Sequence, residues 1–158
     1  MINIEESDLR PLDSFPLKWR WTDSRWNKLP DYALNSIRPL GESKSRELSQ
    51  HTLTFSNHSG LIESQFKNIS RTDNSGDSTE IRRWLLDRSS DLNQTVVVSW
   101  DNNLAALVSW KVFCEYWDDF CYPSSDDVMI FPLSGEWMLF YSHDEYFMFG
   151  RIAADGAA

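Results

Sequence analysis

From Thr95 onward the pattern of apolar and polar positions is dense. Thr95-Val-Val-Val-Ser-Trp100 has the β-branched content of a buried strand, and Asp101-Asn-Asn103 supplies its turn. The stretch from Leu104 to Ser109 fits either the second strand of a hairpin or the start of a helix; spacing leaves both open. Trp110, Phe113, Cys114, Trp117, Phe120 and Cys121 recur at i, i+3, i+4 and i+7, which predicts one helix ending near Tyr122, ahead of Pro123. Val128 to Phe131 predicts a strand and Pro132-Leu-Ser-Gly135 a turn. Trp137-Met-Leu-Phe-Tyr141 and Tyr146-Phe-Met-Phe149 predict an aromatic hairpin around Ser142-His-Asp-Glu145.

The first half is patterned more weakly. Phe15, Leu17, Trp19 and Trp21 alternate with Pro16, Lys18 and Arg20, which is strand periodicity, and Thr22 or Asp23 can then cap a helical turn reaching Leu29. Ala33, Leu34 and Ile37 predict a helix closed by Pro39. A mostly polar helix follows over 41–53, with Leu48 its main apolar contact, and then a short strand over 52–55. Leu61, Ile62, Phe66 and Ile69 predict a modest helix. Residues 70–78 hold no large apolar side chain and predict a flexible loop; the tail 152–158 is expected to be disordered. Asp77 followed by Glu80 resembles a capping box for a helix with Ile81, Trp84, Leu85 and Arg88 on one stripe.

Helices early and hairpin-linked strands late predict one α+β domain over 1–158, its N-terminal helices packed on a C-terminal antiparallel sheet. No glycine-rich strand-to-helix loop supports a nucleotide fold.

Composition adds two departures from a globular average: 8 Trp, 9 Phe and 5 Tyr, and a net charge of −9. That acidity argues against nucleic-acid binding. No apolar run approaches the ~18–20 residues of a membrane span, so no membrane role is expected. The acidic N-terminus lacks the basic start of a signal peptide, and Cys114 and Cys121 are spaced beyond disulfide reach on a helix. Together these predict a reduced, cytoplasmic protein. Three glycosylation sequons, at Asn57, Asn68 and Asn93, then read as chance matches.

The charge is regional. Residues 1–111 hold 15 acidic and 14 basic side chains, net −1; residues 112–158 hold 9 acidic side chains and one basic, Arg151, net −8. On one continuous helix, Glu115, Asp118 and Asp119 share the face opposite Phe113, Trp117 and Phe120, with the two aspartates at an unfavourable helix C-terminus. Asp126 and Asp127 follow in the next loop, and His143, Asp144 and Glu145 lie on a turn. These eight residues are the candidate binding surface. Trp84, Trp110 and Trp117 read as core, whereas Trp19, Trp21 and Trp26 sit among Lys18, Arg20, Arg25 and Lys28, a segment expected to pack on the acidic half.

Catalytic chemistry finds less support. There is no Gly-x-Ser-x-Gly and no Asp-x-Asp-x-Asp-Gly loop, and zinc would need four of Cys114, Cys121, His51, His58 and His143 although both cysteines lie on an aromatic face. No cofactor, metal or catalytic residue is therefore assigned. The rival reading is a metal-dependent or hydrolytic enzyme using the clustered carboxylates with His143; a third is a homo-oligomer joined through exposed aromatics.

Two segments, Trp110-Lys-Val-Phe-Cys-Glu-Tyr-Trp-Asp-Asp-Phe-Cys-Tyr-Pro-Ser-Ser-Asp-Asp127 and Trp137-Met-Leu-Phe-Tyr-Ser-His-Asp-Glu145, resemble small uncharacterised bacterial protein families of about this length. Some of those families are suspected immunity proteins of toxin systems. The resemblance spans roughly residues 95–150. It implies a cytosolic α+β protein that acts by binding, its acidic surface covering the cationic site of a basic partner such as a toxin nuclease.

Overall fold

The strands from Thr95 onward are apolar at almost every position because both faces of their sheet are covered. In the computed structural model, which describes residues 1–73 and 76–153, the chain runs through α1 (Trp19–Thr22), α2 (Asp31–Ser36), β1 (Arg38–Pro39), α3 (Glu42–Thr52), β2 (Ser56–Asn57), β3 (Gly60–Leu61) and β4 (Phe66–Arg71). It continues through α4 (Ser78–Leu86), β5 (Thr95–Asp101), β6 (Leu104–Ser109), α5 (Trp110–Glu115), α6 (Trp117–Phe120), β7 (Val128–Pro132), β8 (Trp137–Ser142) and β9 (Tyr146–Ile152). Seven strands form one antiparallel sheet in the order β1-β6-β5-β7-β8-β9-β4, while β2 and β3 pair separately. The fold is α+β, with helices packed on the sheet and the aromatic hairpin β8–β9 within it.

Strand alternation sorts side chains between two cores. Val96, Val98, Ala106, Val108, Ile130 and Leu139 face the larger one, with Trp21, Leu85, Trp110, Phe113 and Phe120 from the helices. Val97, Ala105, Leu107, Met129, Phe131, Met138 and Phe140 face the other, beneath Leu40, Leu48, Leu61 and Phe66. Each large side chain buried this way contributes roughly 1.5–3 kcal/mol. Leu48 anchors α3 as the sequence predicts, and Asp77 caps α4 by accepting the Glu80 backbone N–H at 2.8 Å. The open choice at 104–109 resolves to a strand, paired with β5 across the Asp101–Asn103 turn.

Several expectations are corrected. Residues 15–21 do not form a strand: the chain turns after Phe15 and enters α1, burying Arg20 and Trp21, neighbours that a strand would send to opposite faces. Asp23 does cap a turn after α1, accepting the Arg25 N–H on its side chain and the Trp26 N–H on its carbonyl, but that turn ends at Trp26 and does not reach Leu29. The strand expected over 52–55 is the end of α3 and a turn. The helix expected from Leu61 to Ile69 is replaced by β3, a 3-10 turn and β4, because β9 offers β4 a free edge far along the chain. Gly60 at φ +119° lets β3 approach the hairpin; a Cβ there would lie 2.6 Å from the Met148 sulfur.

Of the loop expected at 70–78, residues 74–75 lie outside the described residues, while Ser70 and Arg71 belong to β4 and Ser78 opens α4. Of the tail expected at 152–158, residues 154–158 lie outside the described residues, and Ile152 ends β9, donating its N–H to Glu136. The most consequential correction concerns the helix expected from Trp110 to Tyr122. It breaks at Tyr116 (φ −121°, ψ 31°) into α5 and α6. The break sends Phe120 against Trp21 and Phe113 while Trp117 packs on Tyr141 and Phe147. Among the described residues no helix is long and apolar enough to cross a membrane.

Candidate functional site

The break at Tyr116 changes the electrostatics of the acidic segment. Asp118 and Asp119 stand in the single turn of α6 and not in the last turn of a long helix, so the macrodipole cost expected from the sequence does not apply.

Asp126 leaves the surface altogether. Its two oxygens accept Arg20 Nη1 at 2.7 Å and Nη2 at 3.2 Å, with the side chains only 9% and 7% exposed. The same carboxylate accepts the Tyr122 backbone N–H at 2.9 Å and the Ser125 hydroxyl at 3.3 Å. Arg20 also donates to the Phe120 carbonyl and lies 4.1 Å over the Tyr122 ring. Asp126 is therefore a clamp between α1 and the loop after α6. This bears out the expectation that the basic, tryptophan-rich segment packs on the acidic half. Within that segment Trp21 is fully buried, Trp19 packs tilted against Trp26 and edge-on against Tyr122, and Trp26 stays 60% exposed.

The remaining carboxylates form two adjacent groups. Glu115 accepts the Tyr32 hydroxyl at 2.8 Å, and Tyr32 lies 3.0 Å from the Tyr116 hydroxyl. These hydrogen bonds, to Tyr116 and then Glu115, hold the Tyr32 phenol protonated well above its ordinary range. Asp119 accepts Asn27 Nδ2 at 2.8 Å, and its backbone carbonyl accepts Trp21 Nε1 at 3.0 Å. Partial burial pushes the Asp119 carboxyl up to about 6, with Asp118 adding to the rise and Asn27 opposing it.

The second group joins the 121–127 loop to the β8–β9 turn. The Ser124 N–H donates to the His143 carbonyl at 3.1 Å. Asp127 accepts the His143 backbone N–H and also meets its Nδ1, both at 2.9 Å, while Asp144 lies 3.7 Å from Nε2. The Asp127 hydrogen bond, then the charges of Asp127 and Asp144, raise the His143 pKa. Asp118 and Glu145 flank a cavity of about 170 Å³ whose wall includes Trp117, Tyr141 and Phe147.

For chemistry, His143 with Asp127 is an exposed proton-exchanging pair, but the Ser125 hydroxyl donates to Asp126 and not to His143. Among the described residues no three His, Cys, Asp or Glu side chains converge as metal ligands. His51 packs on Phe55 and Phe131, and burial lowers its pKa. Cys114 and Cys121 are free and buried, and burial raises both thiols far above their usual range. The sequence reading missed Tyr32 and Asn27, which reach the acidic segment from 83 and 92 residues away; only the basic and aromatic character of the neighbouring segment hinted at the contact.

The raised Asp119 carboxyl has a consequence for pH. Between ~4 and about 6 the native state keeps a proton that the unfolded chain releases. That contribution is complete below ~4 and disappears as pH rises through the native value. Asp119→Asn, neutral throughout, is expected to flatten this part of the stability curve and to be at least as stable as the parent at pH 7. Thermal melts at pH 4, 5, 6 and 7 check this; parallel curves for the two proteins would contradict it.

In comparisons of this chain and its fold with known proteins, no family model, curated protein or solved structure matches.

Proposed function

We propose that the protein acts by binding, docking a basic protein partner on the acidic surface formed by α6, the 121–127 loop and the β8–β9 turn. One observation carries this reading. Among the described residues, no Lys or Arg forms an ion pair with Glu115, Asp118, Asp119, Asp127, Asp144 or Glu145, although the remainder of the chain carries nearly balanced charge. The net negative charge is concentrated in residues 112–158, which suits electrostatic steering of a cationic protein. Exposed Trp26 and Tyr32, beside Asp119 and Glu115 through Asn27 and the Tyr32 hydroxyl, add aromatic anchors of the kind that dominate interfaces. A toxin is the partner proposed because residues 95–150 resemble small uncharacterised bacterial families, some of them suspected immunity proteins, and the free buried thiols agree with a cytoplasmic setting.

The test uses octalysine as a cationic probe. Affinity is expected to fall steeply between ~20 and ~300 mM NaCl as the charges are screened. Asp118→Asn with Asp119→Asn should weaken binding at low salt by roughly three- to tenfold. A control pair removing the same charge elsewhere, Asp13→Asn with Glu63→Gln, should change it little. Equal losses from both pairs would leave only general acidity and overturn the proposal.

A further inference from the structure

The cavity beside α6 has an unusual lining: three aromatic side chains, Trp117, Tyr141 and Phe147, with Asp118 and Glu145 at exposed positions and the buried Cys121 thiol. No Lys, Arg or His is among its described lining residues. Trp117 and Phe147 lie 5.6 Å apart edge-on, and Tyr141 packs against both.

Tyr141 is only 2% exposed and lines the cavity, and its hydroxyl forms no hydrogen bond with another described residue. The four side chains whose charges act on this phenol are Cys121, Glu145, Asp126 and Asp118, of which Asp126 is already paired with Arg20. A lining phenol, aromatic walls and two carboxylates without a cationic partner share one complement. It is a cation on an apolar stem: ring faces attract the charge, carboxylates neutralise it, and the phenol oxygen accepts one of its protons. Lysine fits more closely than arginine, because a compact ammonium offers three donors for three oxygen-bearing groups, whereas a planar guanidinium needs a wide, flat slot.

We infer that this cavity binds a lysine side chain of the basic partner, with Tyr141, Asp118 and Glu145 receiving the ammonium and Trp117 and Phe147 enclosing its stem. This rests on the binding function proposed above and assigns it a specific pocket.

The test titrates the protein with Nα-acetyl-lysine methylamide, following binding by isothermal titration calorimetry. N-acetyl-norleucine methylamide keeps the aliphatic stem without the ammonium, and choline serves as a free cation. The lysine analogue is expected to bind and the norleucine analogue not to. Tyr141→Phe keeps the ring, so it should fold with an unchanged or higher Tm while weakening lysine binding by about tenfold. Glu145→Gln should weaken it as well. Equal binding by the norleucine analogue, no effect of Tyr141→Phe, or tighter binding of choline would overturn the assignment. If octalysine binding keeps its salt dependence and its sensitivity to Asp118 and Asp119 while the lysine analogue fails, the pocket assignment alone is lost. If the lysine analogue binds but octalysine does not distinguish the two charge pairs, the wider surface is lost and the pocket stands.

Discussion

Replacing Asp126 with alanine is expected to destabilise the protein by about 3–5 kcal/mol, because it leaves a buried guanidinium without its counter-ion. Arg20 sits 7% exposed with its Nε already lacking a partner, and of its hydrogen bonds only that to the Phe120 carbonyl would remain. The Tyr122 backbone N–H and the Ser125 hydroxyl would lose their acceptor as well. For a chain of this length the loss corresponds to a fall in Tm of roughly 10 °C or more. The double replacement Arg20→Met with Asp126→Leu removes the charges together and should recover more than half of the loss, since a buried pair contributes less than its broken remnant costs. Urea unfolding of the parent, Arg20→Met, Asp126→Leu and the double variant measures this coupling. A single-variant loss below ~1 kcal/mol would put the pair in the class of surface ion pairs and contradict its role as a clamp.

Trp21→Ala should lower stability by a similar amount, ~3–5 kcal/mol, through a cavity at the centre of an aromatic cluster. Trp21 is 0% exposed, stacks on Phe15 at 6.0 Å, and meets Trp100 and Phe120 at 5.8 and 5.1 Å. Its indole N–H donates to the Asp119 carbonyl, so the same substitution unties α6 from the N-terminal segment. Octalysine affinity should therefore drop together with stability, although Trp21 has no exposed surface with which to touch a probe. Trp21→Phe keeps most of the packing and should lose clearly less of both. Guanidinium unfolding combined with octalysine titration separates these outcomes. A Trp21→Ala protein that melts within a degree of the parent would show that the cluster repacks, and unchanged octalysine affinity would show that α6 is held without this tie.

These two effects explain which parts of the site were legible in the sequence. The regional acidity can be counted directly, and it remains the feature on which the binding proposal rests. The membership of the surface could not be counted. Asp126 and Asp127 are adjacent and chemically alike, yet one is a buried clamp and the other an exposed partner of His143. What separates them is Arg20, 106 residues away, and nothing within a local window of sequence reports that pairing. The Tyr141 hydroxyl likewise read as part of an aromatic strand; its lack of a partner becomes visible only when the surroundings are assembled.

For the fold, the sequence by itself determined the elements whose periodicity and local chemistry agree. These are strands β5, β7, β8 and β9, helices α2, α3 and α4 with the Asp77 cap, and the α+β class, whereas β6 was settled by its pairing with β5. Tertiary structure decided the elements whose stabilising partners lie far along the chain. Strand β4 forms because β9 presents an open edge, and the segment before α1 turns instead of extending because Arg20 and Trp21 must both face inward. The helix from Trp110 breaks at Tyr116 because its aromatic residues have two destinations, the Trp21 cluster and the β8–β9 hairpin, and one straight helix cannot serve both. Periodicity records that a residue is apolar; only the packed structure decides which apolar neighbour it meets.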